Sequence, residues 1–201
     1  LSKGRFNTKT YEEVLGQIIP YVYGISFTGG EPMLDIALLE EVLAITDSIA
    51  PPILEVDVVT NGTNICRLPF IKGIERFSTI HISRHAVDDA RNRDLMQWNA
   101  PSAERIAECI KSLKDPGAIV FNCVLQKGGV EKIQDIYSYL DFAIETGVHN
   151  SSFIEMIRAN GYCEDQFVSA MGSGLISELR YSGGDSTDIN GQFRVCNRFR
   201  D

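Results

Sequence analysis

Ile25-Ser26-Phe27-Thr28-Gly29-Gly30-Glu31-Pro32 runs from a short apolar stretch into two glycines, an acid and a proline. Val22 to Thr28 reads as a buried strand. A glycine pair at its carboxyl end lets a ligand approach the backbone, leaving carbonyls and amides free to bond it. Glu31 adds a carboxylate suited to a ligand ammonium, and Pro32 holds the exit turn while removing one competing donor. Together they suit the amino group of an amino acid. The plainer alternative is a strand-to-helix turn, for which Gly-Gly is common punctuation.

Outward from this segment, four more runs rich in β-branched and apolar residues end in polar or turn-forming positions: Leu54 to Thr60, Thr79 to Ser83, Ile119 to Leu125 and Ser152 to Ile157. Between the strands lie stripes at three- and four-residue spacing. One runs through Tyr11, Val14, Leu15, Ile18 and Ile19, a second through Ile36, Leu39, Val42, Leu43 and Thr46, and a third through Ile106, Cys109, Ile110 and Leu113. The clearest spans Glu131 to Thr146 and stops at Gly147. Strand and helix therefore alternate, which predicts an α/β chain with a parallel sheet covered by helices. Periodicity does not choose between a barrel and an open doubly wound sheet. From about Ala159 glycines break up short polar stretches, with only Leu175 to Arg180 in a helical pattern. The expected division is a partial barrel over residues 1–158 and a short irregular C-terminal extension over 159–201.

The chain has 201 residues and a formal charge of -8, from 27 acidic and 19 basic side chains. That balance disfavours a surface built for phosphate backbones, so no nucleic-acid partner is expected. No apolar run approaches the roughly 18 residues that span a bilayer, so no membrane partner is expected either. The five cysteines, Cys66, Cys109, Cys123, Cys163 and Cys196, lack the tight, even spacing of a disulfide scaffold. A reducing, cytoplasmic setting fits them better.

The Thr28-Gly29-Gly30-Glu31-Pro32 motif after a strand, followed one unit later by Val58-Val59-Thr60-Asn61-Gly62-Thr63, resembles the radical S-adenosylmethionine (SAM) superfamily. The likeness continues through Ile80-His81-Ile82-Ser83, Phe121-Asn122-Cys123-Val124-Leu125 and Phe153-Ile154-Glu155-Met156 and covers roughly residues 10 to 158. It implies five of the six strands of a (β/α)6 barrel, with the first strand absent. It also implies SAM and a 4Fe-4S cluster as cofactors, and reductive cleavage of SAM to a 5′-deoxyadenosyl radical that abstracts a hydrogen atom from a small-molecule or peptide substrate. The electron donor would be a protein such as flavodoxin or ferredoxin.

The closest-looking branch is the GTP cyclase of molybdenum-cofactor biosynthesis, which shares the Phe-Ile-Glu strand and a stretch like Cys196-Asn197-Arg198. Three departures stand against that enzyme. Ser26 and Val120 occupy positions where it carries substrate-binding cations, and a triphosphate needs such cations. Its additional C-terminal cysteines are missing here, which leaves Cys196 a weak candidate for an auxiliary cluster and a plain free cysteine the better reading. The family's C-x3-C-x2-C loop is also missing, since no two cysteines lie within ten residues of each other. In relatives that loop follows the first strand, so its cysteines are expected upstream of Leu1.

The resemblance assigns SAM to Thr28, Gly29, Gly30, Glu31 and Pro32, and to Ser83 and Met156 at later strand ends. Arg84 at the mouth of its strand suits the ribose or the methionyl carboxylate, with a surface salt bridge as the equal alternative. Thr60 and Asn61 are expected to face the same mouth, unless Asn61-Gly62 is simply a turn. Asn122 and Gln126, four apart, share one face of their strand. Two competing readings remain: a SAM-binding scaffold that has lost catalysis, and an unrelated sugar- or phosphate-binding barrel.

Overall fold

The computed structural model describes residues 6–170 and the strand at 192–196. Five parallel strands form the sheet: β1 (Gly24–Phe27), β2 (Glu55–Thr60), β3 (Thr79–Ser83), β4 (Ile119–Leu125) and β5 (Asn150–Glu155). Their spatial order follows the chain, β1-β2-β3-β4-β5, with a sixth strand, β6 (Gln192–Cys196), antiparallel to β5. A doubly wound sheet reverses its strand order at a switch point, whereas a barrel wall adds each strand beside the last. The sequential order settles the alternative that periodicity left open: the fold is α/β, with the strand arrangement of a partial (β/α) barrel.

The helices are α1 (Thr8–Ile18), α2 (Ile36–Ile49), α3 (Asp89–Met96), α4 (Ala103–Ile110), α5 (Ile133–Thr146) and α6 (Gly161–Gln166). Local chemistry fixes their ends. Asp35 caps α2 by accepting from Leu38 N, Ser102 caps α4 by accepting from Arg105 N, and Gly147 at φ 90° ends α5 in the left-handed conformation. The stripes expected on α2, α4 and α5 are the buried faces of those helices, with Leu39, Val42 and Leu43 on α2 and Ile136, Tyr139, Leu140 and Ala143 on α5. On α1, by contrast, Leu15 alone is buried and Val14 and Ile18 face outward. Helix α3 escaped a periodicity reading because Asn92 is its only buried residue; a cap at Asp88 defines it instead.

On β2, β3 and the upper part of β4 the two sheet faces differ by alternation. Val56, Val58, Ile80, Ile82, Ile119, Phe121, Cys123, Leu125 and Phe153 join the α2, α4 and α5 stripes in one core. The alternate residues Asp57, Val59, Thr79, His81, Ser83, Asn122 and Val124 are only half-buried and line the other, more open face.

Two features go beyond the sequence expectations. Strand β6 comes from the glycine-punctuated extension and pairs with β5 from Asn150↔Cys196 to Ile154↔Gln192; the helical pattern at Leu175 to Arg180 lies outside the described residues. Cys66 and Cys109 are joined as a disulfide with Cα atoms 4.7 Å apart, tying the 3-10 segment Ile65–Phe70 to α4. Their separation of 43 residues carries no spacing signal.

Candidate functional site

The carboxyl ends of β1, β2 and β3 gather the predicted residues at one rim. Thr28, Gly29 and Gly30 leave β1 exposed, with Gly29 at φ 91° and Gly30 at φ 58°. A Cβ at either glycine would meet nothing within 4 Å. What demands glycine here is therefore the left-handed backbone, and its effect is to leave the peptide groups of this turn open to a ligand.

Glu31 and Pro32 follow, both half-buried, with Pro32 opening the short turn Pro32–Leu34. Oε1 of Glu31 accepts from Met33 N at 2.9 Å and from the Thr60 hydroxyl at 2.6 Å, while Oε2 accepts from Asn61 N at 2.6 Å. The carboxylate thus clamps the exit of β1 to the exit of β2. A carboxylate offers about four lone-pair directions, so Oε2 retains one for an outside donor.

Thr60, expected at the mouth, belongs to the alternation of Val56 and Val58 and is 1% exposed. Its hydroxyl donates to Glu31 and accepts from Gly62 N at 3.0 Å, which leaves it spent inside the protein. Asn61 uses Oδ1 to accept from Thr63 N at 2.8 Å, the turn foreseen as the alternative, and its Nδ2 is not engaged in that turn. Gly62 sits at φ 85°, and a Cβ there would lie 2.9 Å from Pro101 Cγ. Gly62→Ala is therefore expected to cost about 1–3 kcal/mol, read as a lowered midpoint in thermal denaturation; an unchanged midpoint would contradict the strained turn.

Ser83 and Asn122 pair in register at the ends of β3 and β4, both half-buried on the open face. Asn122 Oδ1 lies 2.9 Å from His81 Nδ1, and Thr79 links His81 to Asp57 on β2. Met156 stands half-buried just beyond β5. Gln126 shares the parity of Asn122 but is buried where Phe167 bridges to it.

Arg84, expected at the mouth of its strand, is buried in the core instead. It continues the core-facing alternation of Ile80 and Ile82 and is 1% exposed, so its guanidinium is neither at the rim nor in a surface salt bridge. Nη2 donates to Asp89 Oδ1 at 2.6 Å and to Val87 O at 2.7 Å, and the guanidinium lies over the Phe142 ring at 4.7 Å.

His85, two residues beyond Ser83, accepts from Val124 N at 3.2 Å through Nδ1. Burial pushes its imidazole down to about 4, against backbone hydrogen bonds at Arg84 and Asn122 that favour the proton. The unfolded chain binds a proton near the ordinary histidine value of about 6.5, while the native site stays neutral until about pH 4. Stability should therefore fall as pH drops through that window. Urea midpoints measured across it for wild type and His85→Gln should diverge, with the variant showing the shallower slope; parallel slopes would refute the assignment.

Among the described residues no three metal-ligating side chains gather at one place. Cys66 and Cys109 are joined, Cys123 is fully buried with its thiol pKa pushed up by desolvation, and Cys163 lies on α6. Cys196 stands on β6 opposite Asn150. Among the described residues the cysteines do not make the three-thiolate holder of a 4Fe-4S cluster. The rim does fit SAM: an exposed strand-exit backbone, a carboxylate with spare acceptor capacity, and the Ser83–Asn122 pair opposite.

The model of the radical SAM superfamily matches residues 3–142, and the chain belongs to that superfamily. Solved structures agree on the fold. A structure of TYW1 with a lysine-pyruvate adduct bound is 16% identical with a TM-score of 0.58, over 96% of this chain and 65% of that one. Coproporphyrinogen III oxidase (HemN) from Escherichia coli is 12% identical with a TM-score of 0.61, over 99% and 51%. A radical SAM methyltransferase from Sphaerobacter thermophilus is 19% identical with a TM-score of 0.60, over 89% and 55%. The chain thus spans roughly half to two thirds of the length of these proteins. No curated protein sequence matches it significantly.

Proposed function

We propose that this barrel binds SAM across the rim of β1 to β4 and that the protein cleaves it reductively. The exposed Thr28-Gly29-Gly30 backbone receives the methionyl amino group through its carbonyls, with the open lone pair of Glu31 beside it. Ser83, Asn122, Asn61 and Met156 are the candidates for the remaining polar and apolar contacts. The observation that carries this reading is the Glu31 clamp, which ties the exit of the glycine turn to the end of β2. Preorganisation of that kind serves ligand binding more than folding.

Held at this rim and given one electron, SAM would supply methionine and a 5′-deoxyadenosyl radical able to take a hydrogen atom from substrate. The chain's own residues hold and orient SAM and keep water from the radical. A flavodoxin- or ferredoxin-like donor supplies the electron.

The substrate proposed is a small molecule or a peptide side chain. The likeness to the GTP cyclase branch rests on sequence alone, and at the two positions where that enzyme needs cations this chain has Ser26, exposed on β1, and Val120, 1% exposed on β4. An aliphatic side chain packed into the sheet binds no triphosphate.

The test is anaerobic reconstitution of the natural full-length protein with iron and sulfide, followed by dithionite and SAM. Release of 5′-deoxyadenosine is the expected result. An intact cluster with SAM bound and no 5′-deoxyadenosine would sink the catalytic reading and leave a SAM-binding scaffold.

A further inference from the structure

The open face of the sheet carries a hydrogen-bonded row that climbs from the amino ends of the strands to the rim. Asp57 and Thr79 face each other in register at the lower end of β2 and β3, and Thr79 donates its hydroxyl hydrogen to Asp57 Oδ1. Thr79 Oγ1 is also 3.2 Å from His81 Nε2, and His81 Nδ1 is 2.9 Å from Asn122 Oδ1. Asn122 is the partner of Ser83 at the upper end. All four residues of the row are half-buried, so neither a dry core nor bulk solvent sets their bonding.

Donor counting fixes the direction of the row. A threonine hydroxyl has one hydrogen, and Asp57 takes it; toward His81, Thr79 therefore has only lone pairs to offer, and Nε2 must donate. A carboxamide oxygen only accepts, so Nδ1 must donate as well. With Asn122 Oδ1 as acceptor the row calls for hydrogen on both ring nitrogens, and the Asp57 carboxylate stands across the Thr79 hydroxyl to balance that charge. With its oxygen held by His81, Asn122 has the hydrogens of Nδ2 left to offer.

Resting on the SAM reading above, we propose that His81 is a positioning residue: an imidazolium that locks the Asn122 carboxamide so that the rim presents an N–H donor to an acceptor oxygen or nitrogen of bound SAM. An unheld asparagine turns over with little preference, presenting either end; a held one selects.

The test uses the natural full-length protein and S-adenosylhomocysteine, which binds as SAM does without being cleaved. His81→Phe keeps a ring but removes both donors, and should weaken binding about tenfold. His81→Asn restores an N–H near the place of Nδ1 and should return affinity to within about threefold of wild type. Asn122→Asp, which replaces the donor with an acceptor, should lose at least as much as His81→Phe. In the unsubstituted protein, 15N spectra at neutral pH should show His81 protonated on both nitrogens. A singly protonated ring, or wild-type affinity in His81→Phe, would overturn the positioning role while leaving the SAM reading intact. Wild-type protein that binds no S-adenosylhomocysteine would overturn both.

Discussion

Glu31→Ala should cost about 2–4 kcal/mol of stability and lower affinity for S-adenosylhomocysteine about a hundredfold. One substitution strips the acceptor from three donors at once: the Met33 amide, the Thr60 hydroxyl and the Asn61 amide. Thr60 is buried, so its hydroxyl does not recover the loss from water. Affinity should fall along with stability because the clamp ties down the exit of the Gly29-Gly30 turn, both of whose glycines adopt positive φ. Freed from Glu31, that turn must be ordered again by each ligand it binds. Glu31→Gln separates the two effects. Its oxygen still serves Met33 and Thr60, but its NH2 meets the Asn61 amide, donor against donor. Urea denaturation should place it between wild type and alanine, while calorimetry should show an affinity close to that of alanine. A glutamine variant with unchanged affinity would mean that the clamp to β2 does not shape the binding turn.

The strands were legible where their signal is local. Thr79–Ser83 and Ile119–Leu125 match the expected runs residue for residue, since each is an apolar stretch bounded by chain that cannot extend it. At Val22 the apolar run overshoots, and β1 begins at Gly24 because Tyr21 and Tyr23 are left exposed beyond the sheet. Strand β6 alternates over only five residues amid glycines, and what makes it a strand is the free edge of β5, a partner more than thirty residues away.

At the site, the glycine pair could be read because positive φ is written in residue type. Thr60 and Arg84 were misplaced although the needed rule was available: each continues an alternation, Val56-Val58-Thr60 and Ile80-Ile82-Arg84, whose apolar members face the helices. Polarity suggested the rim, and parity decided for the core. The Glu31 clamp, the His81 row and the Cys66–Cys109 pair leave no such trace, because each joins residues whose proximity is created by the sheet and its helices.

Asp89→Ala should destabilise the protein by about 3–5 kcal/mol, because it strands the guanidinium of Arg84 in the core. That group is already under-supplied. Nη2 is bonded to Asp89 and Val87, but among the described residues Nε and Nη1 are buried without a hydrogen-bond partner, and the face of Phe142 is the remaining support there. The Asp89 carboxylate is the one anion in contact with the guanidinium among the described residues, at 2.6 Å, and also caps the Ala103 amide at 3.0 Å. Partial burial raises the Asp89 pKa, but the hydrogen bond and charge of Arg84, helped by the Ala103 amide and Arg93, outweigh that and hold it below the ordinary carboxylate value. With the folded pKa depressed, the pair contributes in full above the unfolded value and is lost as pH falls through the folded one. An acid limb is therefore expected in wild type and should be flatter in Asp89→Ala. Arg84→Met tests the balance from the other side. Methionine fills similar volume without donors, so the double variant Arg84→Met/Asp89→Ala should recover most of what Asp89→Ala loses, leaving chiefly the cost of the uncapped Ala103 amide. If the two substitutions instead add, the burden lies in the packing around Phe142 and Val87, and the ion pair is not what stabilises the end of β3. S-adenosylhomocysteine affinity in the Arg84→Met variant, expected to stay within about threefold of wild type, completes the case: a core-facing cation supports the strand that carries Ser83 without touching the ligand itself.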